Sequence, residues 1–101
     1  MGWPVVLTPQ AQDDLREIVS YIARDSPDRA RRFGNTLIDQ ALSIGIFPEM
    51  GQVVFEVGDP SVREIIHGSY RIIYELRHDP NAVFVLRFWH GARGTLDTSV
   101  F

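Results

Sequence analysis

Residues Tyr70 to Arg93 read YRIIYELRHDPNAVFVLRFWHGAR, and how this stretch folds decides the architecture of the chain. Two runs rich in aromatic and β-branched residues flank His78-Asp79-Pro80-Asn81, which supplies turn chemistry, so the economical reading is strand, turn, strand. With the turn centred near Pro80, Leu76 faces Phe84, Tyr74 faces Leu86 and Ile72 faces Phe88. On the other side Arg77, Glu75, Ile73 and Arg71 oppose Val83, Val85, Arg87 and Trp89. A slip of one residue would carry Arg71 and Arg87 in among the apolar partners, so the pattern itself selects this register. One face is apolar; the other is mixed and bears arginines.

Working outward, Val62 to Ile66 is a further strand, and Gly68-Ser69 suits a type II′ turn into Tyr70. Gly51 to Ser61 reads as a loop, although Val53 to Val57 has some strand character. Two helices precede it. Thr8-Pro9 and Ser26-Pro27 each pair a capping hydroxyl with a proline pre-set for the first helical position. The first helix carries Ala11, Leu15, Ile18 and Ile22 at spacings of three and four, with Asp13, Asp14, Arg16 and Glu17 assigned to the outer face. In the second, Ala30, Phe33, Leu37, Ala41 and Ile44 form the stripe, and Gly45 with Pro48 ends it. The short link between them implies an αα-hairpin. Trp3 to Leu7 reads as a first strand with Pro4 near its start.

The expected fold is therefore α+β with the order β-α-α-β-β-β, a helical hairpin on one face of a mainly antiparallel four-stranded sheet. Its core comprises Ile72, Tyr74, Leu76, Phe84, Leu86 and Phe88 packed on Leu15, Ile18, Phe33 and Leu37. On that basis Phe88→Ala is the costly substitution and Arg87→Ala a much cheaper one. Residues 1–101 form a single domain, with 94–101 as a C-terminal tail.

At 101 residues, 45% hydrophobic and 11% aromatic, the chain can fill one core without staples. Cysteine is absent, which excludes a disulfide framework and thiolate metal sites. No run of apolar residues is long enough to cross a membrane and no leader pattern is present, so a cytoplasmic protein is expected. The formal net charge is -3, so no global field draws the protein to phosphate and direct nucleic-acid binding is not expected. Every one of the 10 basic residues is arginine, which leaves no lysine for Schiff-base or shifted-base chemistry.

No phosphate-binding loop, dinucleotide fingerprint, zinc-protease or nucleophile-elbow motif occurs, so neither a cofactor nor a metal is expected. His67, His78 and His90 lie in or beside turns without a second ligand at useful spacing. His90 stands beside Gly91 and Arg93, where an imidazole could act as acid or base near an anion, or simply cap the strand end against Tyr70. Arg71, Arg87 and Trp89 share the open sheet face. They would form an anion or stacking platform, an interface hot spot, or ordinary cross-strand pairs with Glu75. Arg29, Arg31 and Arg32 point in different directions around the second helix and read as solvated surface.

VVLTPQAQDDLREIVSYIARDSPDRARRF, the FPEMG after the second helix, and above all REIIHGSYRIIYEL followed by VFVLRFWHGAR resemble the RelE/ParE toxin superfamily of bacterial type II toxin-antitoxin modules. The resemblance spans nearly the whole chain. It implies one of two activities. RelE-like members are implied to be ribosome-dependent mRNA endonucleases, with Arg71, His90 and Arg93 as the catalytic candidates here. ParE-like members are implied to bind DNA gyrase and trap its cleaved complex, with Arg71, Arg87, Trp89, His90 and Arg93 as target-binding candidates. The missing lysines, a tail GTLDTSVF without tyrosine or histidine, and the acidic balance depart from the nuclease pattern. The HGAR ending and the first helix look like the ParE branch, which is the favoured reading. A cognate, ParD-like antitoxin is the implied partner, in a hetero-oligomer with the toxin.

Overall fold

A computed structural model describes residues 2–96. The sheet has five strands: β1 (Val5–Leu7), β2 (Gln52–Val53), β3 (Val62–His67), β4 (Tyr70–Arg77) and β5 (Ala82–His90), in the order β1-β5-β4-β3-β2. All pairs are antiparallel except β1 with β5, which is parallel: α1 (Pro9–Ala23) and α2 (Pro27–Ser43) carry the chain from β1 at one edge to β2 at the other, and three antiparallel steps bring it back to β5 beside β1. The fifth strand, β2, falls in the stretch read as a loop. Two residues are too few for a period-2 pattern to register.

Both helices begin where the sequence places them. Thr8 Oγ1 accepts from Ala11 N–H and Ser26 Oγ from Arg29 N–H, each at 3.2 Å. The helices cover one face of the sheet, and Ala11, Ile18, Leu37, Ala41 and Ile44 bury their side chains against Ile72, Tyr74, Leu76, Val83, Val85 and Phe88. Leu15 and Phe33 pack at the margin of this core.

The hairpin register holds at Arg71↔Trp89, Ile72↔Phe88 and Ile73↔Arg87, then shifts at a bulge so that Tyr74 pairs with Val85 and Leu76 with Val83. Leu86 is the extra residue. Consequently Phe84 and Leu86 are not in the helix-side core as expected; Val83 and Val85 replace them. The cause lies at the edge of β5. Pairing with β1 ends at Val85, and from there α1 takes over: Thr8 Oγ1 donates to the carbonyls of Val85 and Leu86. Strand-to-helix exchange along one edge is where a ladder is easily broken.

FPEMG and YRIIYEL meet in space. The hydroxyl of Tyr74, fully buried, donates to the Pro48 carbonyl at 2.8 Å and accepts from Gly51 N–H at 2.9 Å. A Cβ at Gly51 would stand 2.6 Å from that hydroxyl, so the close approach requires glycine.

The opposite face of the sheet has its own apolar cluster of Val54, Val62, Ile73, Trp89 and Leu96, joined by Val57 and Leu86. Of the stretch read as a tail, residues 94–96 lie against this face, and 97–101 are outside the described residues. Among the described residues no helix is long and apolar enough to cross a membrane.

Candidate functional site

Period-2 alternation places Arg71 on the face away from the helices, as expected, but its guanidinium is fully engaged. Nε and one Nη meet both oxygens of Glu64 at 2.7 and 2.8 Å, and both Nη atoms meet Glu56 at 2.9 Å. The side chain is 17% exposed. Two bidentate pairs on one fork satisfy nearly all its donors and leave the cluster with a net negative charge. The guanidinium's hydrogen bonds, set against the opposing effect of burial, hold Glu56 down at about 2. The two carboxylates in turn push the Arg71 pKa up.

Arg87 turns away from the platform proposed for it. Its Nε and Nη2 donate to the Asp14 carboxylate at 2.6 and 2.8 Å, and Asp14 also accepts from Phe88 N–H at 3.1 Å. Asp14 is 7% exposed, which corrects its assignment to the outer face of the first helix. It caps the edge of β5 beyond β1. The hydrogen bonds to Asp14 raise the Arg87 pKa. A buried carboxylate left without its arginine is costly, so the expectation that Arg87→Ala is cheap is also corrected.

Trp89 is buried rather than an exposed stacking surface; its Nε1–H donates to the Gly94 carbonyl at 3.1 Å. The Arg93 guanidinium lies 4.1 Å from its ring centroid, with Arg87 farther off at 5.5 Å. His90 Nδ1 accepts from Ala92 N–H at 2.9 Å, capping the single 3-10 turn Gly91–Arg93, and its ring meets Tyr70 edge-on. Arg93 is exposed and has no carboxylate partner among the described residues.

The five candidates therefore separate. Arg71, Arg87 and Trp89 are consumed by the fold, whereas His90 and Arg93 border an open groove of about 360 Å³ between α1 and the end of β5. Asp14, Glu17, Ile18, Tyr21, Tyr70 and Phe88 complete its walls, and Tyr21 is 71% exposed. This arrangement offers a cation, an exposed carboxylate and aromatic surface, which suits protein recognition. Among the described residues no group of three metal-ligating side chains occurs.

Asp14, Glu56 and Glu64 escaped the sequence reading. Asp14 left a signal: it stands three residues after Ala11 and four before Ile18, on the buried stripe. Glu64 lies in a strand whose alternation sets it on the same face as Arg71. Glu56 gave no signal, because its loop has no period.

The model of the ParE toxin family of type II toxin-antitoxin systems (parDE) matches residues 5–94. Among solved structures, the chain is similar to the chromosomal ParDE system from P. aeruginosa, with a TM-score of 0.70 and 16% identity over 87% of this chain and 95% of that one. It is also similar to the toxin-antitoxin complex RelBE2 from Mycobacterium tuberculosis, with a TM-score of 0.66 and 19% identity over 89% and 99%. No curated protein matches it.

Proposed function

This chain belongs to the ParE toxin family of type II toxin-antitoxin systems, and from that premise we propose that it binds DNA gyrase and is neutralised by a cognate antitoxin. The observation that carries the choice of target is the state of Arg71. Cleaving RNA through Arg71 would require a cation free to meet the charge that develops on phosphate. Here Glu56 and Glu64 occupy its donors, and a phosphate would have to displace two buried carboxylates. Likeness to ParDE and RelBE2 speaks for the fold alone and does not separate the two activities.

On this reading Arg93 and His90, with Tyr21 across the groove, meet the target by contact and transfer no proton. The antitoxin has two surfaces suited to a segment that folds on binding. One is an apolar groove between the helices, lined by Leu15, Val19, Ala23, Ala30, Gly34 and Ile38, which fits an amphipathic helix. The other is the edge of β3 beyond Glu64, where pairing with β2 ends and Ile66 stands exposed, which fits an extended segment.

Purified protein should inhibit gyrase supercoiling or accumulate cleaved DNA, and should leave messenger RNA intact on translating ribosomes. RNA cleavage that is lost in Arg71→Ala would reverse the assignment. Co-expression with the neighbouring small gene should give a stable complex; separate elution at micromolar concentration would remove the antitoxin from the account.

A further inference from the structure

Residues 91–96 leave the end of β5 and return across the sheet face that the helices do not cover. Beyond one 3-10 turn they have no regular structure, and Gly94 at φ +79° bends the path. Side chains fasten them instead. Trp89 Nε1–H holds the Gly94 carbonyl, the Leu96 side chain is buried among Val54, Val62, Ile73 and Trp89, and Leu96 N–H donates to Glu56 Oε2 at 3.1 Å. That same carboxylate holds Arg71 through two bonds. Glu56 thus ties a loop, a central strand and the segment that follows β5 to one point. Arg93 immediately precedes the first of these fastenings, its guanidinium over Trp89.

We infer that Glu56 is a positioning residue: by holding the Leu96 amide while bound to Arg71, it keeps the 91–96 strap on the sheet and presents Arg93 to the target. This rests on the proposed binding of gyrase. The long arginine side chain is mobile in solution, so stacking on a fixed Trp89 reduces the ordering it must undergo on binding. A neutral glutamine could not keep all three bonds: with its oxygen in the place of Oε2 its amide nitrogen faces Arg71 Nη2, and in the other orientation it faces both Arg71 Nη1 and the Leu96 N–H. In either case the charge that strengthens the bonds is gone.

The test uses the full chain and two variants, Glu56→Gln and Leu96→Ala, which release the strap from different anchors. Hydrogen exchange at the Leu96 amide and the ring-current shift of the Arg93 side-chain protons report the strap; gyrase supercoiling reports the target. In Glu56→Gln the Leu96 amide should exchange about tenfold faster, as expected for loss of a charge-assisted hydrogen bond. The Arg93 shift should shrink, and inhibition should weaken about tenfold, towards the level of Arg93→Gln. Leu96→Ala should do the same, and it carries the test should Glu56→Gln fail to fold. Wild-type exchange and Arg93 shifts in a folded Glu56→Gln protein would overturn the fastening. A loosened strap with undiminished inhibition would overturn the presentation of Arg93. Exchange and shift need no gyrase, so a wild-type chain that does not inhibit gyrase would fail the target reading while the fastening is still decided by its own readout.

Discussion

The two faces of the sheet are built by different physics. Under the helices the core is aliphatic and aromatic, with the Asp14–Arg87 ion pair at the edge of β5, and the fully buried Tyr74 hydroxyl is bonded on both sides within the FPEMG turn. On the opposite face, an arginine held by two carboxylates sits beside a small apolar cluster and a strap of chain. Burial of apolar area is non-directional and tolerant. Paired charges in partly dry surroundings are directional, and removing one partner leaves the other uncompensated. The comparison teaches that an arginine on the open face of a sheet need not be available for chemistry; its partners decide.

The comparison can be broken most forcefully by one substitution on each face. Phe88→Ala should cost roughly 3–5 kcal/mol as a large-to-small core change, and Arg71→Ala about 3–5 kcal/mol by stranding Glu56 and Glu64. Urea unfolding measures both. A cost below about 1 kcal/mol for Arg71→Ala would place the charge cluster among ordinary surface pairs.

The Asp14–Arg87 pair sharpens it. Arg87→Ala should destabilise by about 3 kcal/mol, whereas the double change Asp14→Leu with Arg87→Met should recover much of the loss, since a buried pair is replaceable by apolar groups of similar volume. A double-mutant cycle with no coupling would show that the short contact contributes nothing.

Acid should separate the faces further. The folded Glu56 pKa, about 2, lies below its ordinary 4.5, so its stabilising contribution is complete above the ordinary value and is lost as pH falls towards 2. The stability gap between wild type and Glu56→Gln should therefore narrow between pH 5 and pH 2 (a range set roughly by those two values). A gap independent of pH would contradict the Arg71 bonding.

A smaller effect is expected at His90. Glutamine retains an acceptor for Ala92 N–H, so His90→Gln should change stability by no more than about 0.5 kcal/mol and inhibition by about threefold at most. A fall of roughly a hundredfold to ten-thousandfold would mark lost acid-base catalysis.

The helices, their caps and the side of the sheet on which Arg71 lies were legible, because each follows from a local period or a capping pair. The bulge at Leu86 was not: it depends on Thr8 and Asp14 reaching β5 across more than 70 residues of sequence. The same distance hid the site. Arg71, Arg87 and Trp89 looked like one platform because alternation fixes a face but not the partners that come from elsewhere. Glu56 reaches Arg71 from an aperiodic loop, and Asp14 draws Arg87 to α1.

The central claim is that the arginines divide by task, Arg71 and Arg87 holding the fold and Arg93 meeting the target. Its most direct test is gyrase supercoiling inhibition by Arg93→Gln alongside its urea unfolding curve. The account predicts stability within about 0.5 kcal/mol of wild type and inhibition weakened about tenfold or more. Full inhibition by a folded Arg93→Gln protein would contradict it.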